Sequence, residues 1–130
     1  MSRRLVAIGN TDRGDDAAGW EVARTLTGWE IEFRMAGSIE LIADWNPDDD
    51  IVIVDAMRSG EEPGSIHRFD ALSDELPRGV FTSTHSFGPA SLVELAKVTG
   101  HMPRSLVVYG IEAKQTDHGS PMSPEVAYAV

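Results

Sequence analysis

The sequence has no cysteine, no long apolar run and a shortage of positive charge, and each of these absences excludes a class of function. Without cysteine, the 130 residues offer no disulfide, no thiolate metal site and no thiol nucleophile. The net charge of −10 argues against nucleic acid and anionic membranes as partners. No apolar stretch approaches the roughly 20 residues of a membrane span, and the short run after the N-terminal arginines is not a signal peptide. We therefore expect a soluble, cytoplasmic protein.

Three common enzyme motifs are also missing from the sequence. It contains neither the G-x-G-x-x-G fingerprint of dinucleotide-binding folds nor the G-x-x-x-x-G-K-[ST] phosphate loop. The G-x-S-x-G elbow that carries the nucleophile of many serine hydrolases is absent as well. These absences argue against nucleotide chemistry and weaken a serine hydrolase hypothesis.

What the sequence does contain is an alternation of apolar strand patterns and helical patterns. Strands are predicted at Leu5–Ile8, Trp29–Met35, Ile51–Val54, Ser65–Phe69 and Leu106–Ile111, with a short strand or extended segment at Val80–Ser83. Helices are predicted at about Asp16–Leu26, Ser38–Trp45, Pro89–Gly100 and from Ser123 onward. This order predicts one domain over residues 1–130, with an α/β fold. The expected architecture is a three-layer sandwich around a mostly parallel, twisted sheet of about five strands.

Some residues are assigned to the surface or the core by their local pattern. The run Asp48–Asp50 is interpreted as a solvated loop, because no EF-hand spacing surrounds it. His67, His101 and His118 are expected at the surface. The helix opened by Pro89 is predicted to bury an apolar side formed by Leu92, Leu95, Ala96 and Val98.

The segment IGNTDRGDDAAG, residues 8–19, has the composition of a site for a cation. It follows the first predicted strand and leads into a helix, and ligands of open α/β sheets collect at the carboxyl ends of strands. It carries Asp12, Asp15 and Asp16 but no lysine. This loop repels phosphate and attracts positive charge.

Three side chains from different parts of the sequence are predicted to meet at this edge of the sheet. Asp16 follows the first strand, Asp55 follows the central strand, and His85 precedes the helix opened by Pro89. Two carboxylates and an imidazole suit a borderline divalent ion such as Ni²⁺ or Zn²⁺ and leave coordination positions open. Structural roles remain open for each residue: a helix cap for Asp16, buried hydrogen bonds for Asp55, and a hydrogen-bonded loop histidine for His85.

The succession IGNTDRGDDAAG, IVIVDAMRSGEEPGSIHRF, STHSFG, VVYGIEA and MSPEV resembles the hydrogenase maturation proteases along essentially the whole chain. The resemblance implies an endopeptidase that removes the C-terminal extension of a [NiFe] hydrogenase large-subunit precursor. By motif, Asp16, Asp55 and His85 correspond to the nickel-binding and catalytic residues of that family. It further implies that the nickel is supplied by the substrate as a recognition signal, so the protease is expected to be metal-free at rest.

Two other functions stay open at this point. One is a docking protein that recognises the nickel-loaded subunit without cutting it, because the segment FRMAGSIEL, residues 33–41, departs from the family pattern at a place associated with substrate choice. The other is a small-molecule binder of the same fold class. The sequence leaves open which hydrogenase is processed, where the cut falls, and the oligomeric state.

Overall fold

Five strands form a single sheet in the part of the chain that the structure describes. The structure is a computed structural model, and it describes residues 3–8, 29–34, 42, 45–73, 76, 89–100 and 102–114. The strands are β1 (Arg3–Ile8), β2 (Glu30–Arg34), β3 (Asp50–Met57), β4 (Ile66–Asp70) and β5 (Ser105–Glu112), in the spatial order β2–β1–β3–β5–β4. Strands β2, β1, β3 and β5 are parallel, and β4 pairs antiparallel with β5. The predicted mostly parallel α/β sheet is confirmed.

The strand positions follow the apolar runs, and β3 is the strand that extends furthest beyond its run. The run Ile51–Val54 predicts four residues, whereas β3 continues to Met57 because Asp55, Ala56 and Met57 pair with the end of β5. The predicted strand at Trp29–Met35 is confirmed as β2, Glu30–Arg34, and it lies at one end of the sheet. The predictions at Val80–Ser83, Asp16–Leu26 and beyond Ser123 lie outside the described residues.

Both faces of the central strands are covered, which makes the sheet a middle layer. Leu5, Val6, Ala7 and Ile8 of β1 are all buried, although alternate residues point to opposite faces. One face contributes to the larger apolar cluster, with members on β1, β3 and β5 and on the helix Pro89–Thr99. The other face holds a smaller cluster around Leu5, Ala7, Val54 and Ile111. The candidate site described below lies on the helix face of the sheet.

The helix Pro89–Thr99 is confirmed, but one residue of its predicted apolar side is wrong. Leu92, Val93 and Ala96 are buried against the sheet, whereas Val98 is 84% exposed. Val98 lies six residues after Leu92, about 240° around the helix, and therefore on the side away from the sheet. Gly100 follows the helix, and its φ of 77° is the left-handed conformation common directly after a helix.

The direction of this helix follows from its connection to β5. The helix ends at Thr99 and β5 begins at Ser105, so its last turn lies near the amino edge of the sheet. Eleven residues of helix extend about 16 Å, and the helix packs along the sheet face. Its first residue, Pro89, therefore lies toward the carboxyl edge, where parallel α/β sheets carry their sites.

Charged residues form hydrogen bonds and ion pairs at the opposite edge of the sheet, where the parallel strands begin. The Asn46 N–H donates to Asp49 Oδ2 at 3.0 Å, and the same carboxylate lies 3.7 Å from Arg4. Asp50 accepts from Arg104 Nε at 3.1 Å and from the Ser105 hydroxyl at 2.7 Å. The interpretation of Asp48–Asp50 as a solvated loop is wrong for two of its residues. Asp49 is only 3% exposed, and Asp50 is the first residue of β3.

Candidate functional site

Asp55 is a fully buried carboxylate near the carboxyl end of the central strand. It lies within β3, two residues before the strand ends, and not beyond the strand as predicted. Its exposure is 0%, and its Oδ1 accepts the Ala56 N–H at 2.8 Å. In the strand alternation it shares a face with Ile53 and Met57, both members of the apolar cluster on the helix face. A charged group there requires polar or cationic partners, since burial of an ionised carboxylate is costly.

The strand register places a second ionisable side chain in the same row of the sheet. Asp55 of β3 pairs with Gly110 of β5, and Gly110 pairs on its other side with His67 of β4. Residues directly opposite each other point to the same face, so Asp55 and His67 flank a residue that has no side chain. Two strand spacings separate their Cα atoms by about 10 Å.

One row further toward the carboxyl edge lies a second buried carboxylate. Glu112, the last residue of β5, is 1% exposed and pairs with Met57. Its Oε1 and Oε2 accept the Ser59 N–H at 3.1 and 3.3 Å, and Oε1 also accepts the Ser59 hydroxyl. The Glu112 main chain adds bonds of 2.9 Å to Gly64 and Ser65. Glu112 thus fixes both ends of the connection from β3 to β4.

His67 completes what we call the Glu112 cluster, formed by Ser59, His67 and Glu112. The His67 Nε2 lies 3.6 Å from Glu112 Oε1, and its side chain is 29% exposed. This nitrogen is itself buried and has no hydrogen-bond partner among the described residues. The surface position expected for His67 is therefore met only in part, because the β4–β5 register turns this partly exposed side chain toward the covered face of the sheet.

The sequence contains a signal for Glu112 that sequence reasoning missed. Glu112 directly follows the apolar run Leu106–Ile111, as Asp55 follows Ile51–Val54, and the same reasoning about strand ends applies to both. His67 gave no comparable signal, because its role depends on the partner strand and on a register that local sequence does not encode.

Of the three predicted metal ligands, the structure describes Asp55, while Asp16 and His85 lie outside the described residues. Within the described part of the chain, no three side chains of the kinds that bind metals are grouped closely enough to hold an ion. His85 precedes Pro89 by four residues, and Pro89 lies toward the edge near which Asp55 is buried. The predicted meeting of Asp16, Asp55 and His85 stays a prediction.

None of the helical segments in the described ranges has both the length and the apolar character that crossing a bilayer requires.

The comparisons with known proteins agree on one family. A family model described as hydrogenase maturation protease matches residues 36–130, a range that includes Asp55 and His85 but begins after Asp16. No protein with a curated description matches significantly.

Several solved structures share the fold. HybD of Thermococcus kodakarensis, a [NiFe] hydrogenase maturation protease, aligns with a TM-score of 0.74 and 23% identity over 99% of this chain and 91% of that chain. The hydrogenase maturating endopeptidase HybD of E. coli aligns with a TM-score of 0.75 and 21% identity over 98% and 84%. HycI of T. kodakarensis, also a [NiFe] hydrogenase maturation protease, aligns with 0.69 and 24% over 98% and 84%. At these identities, the structural likeness concerns the fold.

Proposed function

Because this chain belongs to the hydrogenase maturation protease family and is thus an endopeptidase of hydrogenase maturation, we propose that it removes the C-terminal extension of a [NiFe] hydrogenase large-subunit precursor. In this proposal the precursor already carries nickel, and the protease recognises the metal as part of its substrate. Asp16, Asp55 and His85 are the proposed contacts to that nickel and the catalytic residues. The protease itself holds no metal before the precursor binds.

The observation that carries this proposal is the buried carboxylate of Asp55. It lies within the residues matched by the family model, near the carboxyl edge of the central strand, at 0% exposure. Its Oδ1 is oriented by the Ala56 N–H, so one oxygen direction is already fixed. Two carboxylates and one imidazole would offer three ligands to a cation brought by the substrate and leave positions open for ligands from the precursor.

The chemistry required is hydrolysis of one peptide bond. Water attacks the scissile carbonyl carbon, the carbon–nitrogen bond breaks, and the leaving nitrogen takes a proton. With no cysteine in the chain, the nucleophile is not a thiol, and an activated water fits a site made of carboxylates and imidazole. In this mechanism the nickel, held partly by the protease, positions the precursor so that its tail lies across the site.

A processing assay tests the proposal directly. Purified protein is mixed with large-subunit precursor in nickel-loaded and nickel-free forms, and loss of the C-terminal tail is followed by mass spectrometry. We expect cleavage of the loaded form alone. Equal cleavage of both forms would refute nickel recognition, and nickel-dependent binding without cleavage would favour a docking protein. The assay uses several precursors in parallel, because the segment FRMAGSIEL departs from the family pattern where substrates are distinguished.

A further inference from the structure

The Glu112 cluster lies on the same sheet face as Asp55, and the function proposed above gives it no role. It joins a carboxylate that is 1% exposed to a histidine that retains 29% exposure. Buried carboxylate, oriented imidazole and partial access are the features of a histidine that transfers protons in catalysis.

We propose that His67 is an additional catalytic residue, which carries a proton between the attacking water and the leaving nitrogen, and that Glu112 is its positioning residue. This inference rests on the proposed function, since it assigns a step in the same peptide hydrolysis. It adds the His67 imidazole to the site. This side chain comes from the antiparallel strand β4 and not from the end of a parallel strand.

The first argument concerns the orientation of the imidazole. The buried Nε2 faces Glu112 Oε1 at 3.6 Å, and an unprotonated nitrogen there would direct its lone pair at a carboxylate. The proton therefore resides on Nε2, and Nδ1 is the nitrogen that remains for the substrate. At 3.6 Å the contact is longer than a hydrogen bond, as is common for catalytic pairs before substrate binds.

The second argument is that Glu112 is held rigidly. Ser59 donates to its carboxylate from both the main chain and the hydroxyl, and the main-chain bonds to Gly64 and Ser65 fix the residue itself. A carboxylate anchored in this way keeps its Oε1 beside Nε2 while the imidazole takes up and releases a proton at its other nitrogen.

The third argument is the position relative to Asp55. In the row Asp55–Gly110–His67, the glycine contributes no side chain, so nothing from β5 stands between the two groups on that face. Among the described elements, the charged groups that face His67 are Glu112 on β5 and, across Gly110, Asp55 on β3. Of these three residues, His67 is the one that keeps solvent access, so a precursor peptide would approach the row from the β4 side.

The proton balance of this step is simple. As the water oxygen bonds to the carbonyl carbon, Nδ1 of His67 accepts one proton from the water. As the carbon–nitrogen bond breaks, Nδ1 returns that proton to the leaving nitrogen. The products are a carboxyl group and an amine, and His67 is regenerated with its proton still on Nε2.

The first test uses the protease alone. Imidazole ¹⁵N spectra of the wild type should show His67 as the Nε2–H tautomer, and Glu112→Ala should lose this preference. A wild-type Nδ1–H tautomer would overturn the proposed orientation. This result does not depend on finding the cognate precursor.

The second test uses single-turnover cleavage of nickel-loaded precursor. His67→Gln should cleave at least about 100-fold more slowly, the lower end of what a general acid–base contributes, with an unchanged precursor dissociation constant. Glu112→Gln keeps an oxygen for Ser59 but removes the charge. It should slow cleavage less and shift the pH–rate profile, a change that a structural role would not produce.

Arg68→Gln is the matched control, because Arg68 neighbours His67 on β4 but is exposed, and it should cleave at the wild-type rate. Cleavage by His67→Gln at the wild-type rate, with the wild-type pH profile, would overturn the inference while leaving the proposed function intact. A wild type that cleaves no loaded precursor would overturn the proposed function and with it the role of His67.

Discussion

Replacing Asp49 by alanine is expected to destabilise the protein by about 2–4 kcal/mol. The side chain accepts the Asn46 N–H at 3.0 Å, and a hydrogen bond to a charged, buried group is worth about 1.5–3 kcal/mol. Its attraction to Arg4 at 3.7 Å adds less than about 1 kcal/mol, because Arg4 also pairs with Glu32 at 2.7 Å. The sequence interpretation of a solvated loop would give a change within about 0.5 kcal/mol.

Asp49→Asn separates the two contributions. The amide oxygen can still accept the Asn46 N–H, as a neutral bond worth about 0.5–1.5 kcal/mol, while the attraction to Arg4 is lost. Loss of the charge also relieves repulsion from Glu32, which shares the same guanidinium. We expect a destabilisation of about 1–2 kcal/mol, between the wild type and the alanine variant.

Urea unfolding at neutral pH, followed by circular dichroism, measures the free energy of unfolding of all three proteins. The slope with urea should be unchanged, since the folded and unfolded surfaces stay similar. An alanine variant as stable as the wild type would refute the assignment of Asp49 as a buried anchor of the amino edge. Equal losses in both variants would show that the ion pair with Arg4, and not the turn bond, carries the effect.

Three further predictions concern the core, the site and the dependence on pH. Leu92→Ala should cost about 2–5 kcal/mol of unfolding free energy, because Leu92 is fully buried. Val98→Ala on the exposed side of the same helix should change the free energy by no more than about 0.5 kcal/mol. Similar losses at both positions in urea unfolding would contradict the orientation of the helix. Asp55→Asn should reduce precursor cleavage by more than the roughly 10–100-fold that is typical when a group hydrogen-bonded to a metal ligand is lost, while the melting temperature changes little. Normal processing by this variant would rule out a role for Asp55 in metal recognition. The hydrogen bonds from Arg104 and Ser105 lower the pKa of Asp50, so its stabilising effect is present above the ordinary carboxyl pKa and is lost as the pH falls through the lowered value. Asp50→Asn should therefore be less stable than the wild type at neutral pH, and the difference should disappear in acid; a difference that is constant with pH would exclude this linkage.

In the candidate site, the residue that could be predicted is the one that directly follows a buried strand run. Asp55 follows the run Ile51–Val54, and its carboxylate is buried on the central strand β3. Glu112 follows the last strand run in the same way and is predictable by the same reasoning. His67 is not predictable from local sequence, because its neighbours on the sheet come from β5, about 45 residues further along the chain.

The amino-acid pattern is sufficient to predict the order and type of the described elements, because apolar runs and helical spacing show which side chains must leave water. The tertiary structure alone decided how far β3 extends, which residues face each other across the strands, and which charges are buried. Pairing with β5 made Asp55 part of a strand and placed His67 beside Glu112. Arg4 and Asn46 gave Asp49 the partners that permit its burial. These outcomes depend on register and on contacts between distant segments, and local sequence patterns specify neither.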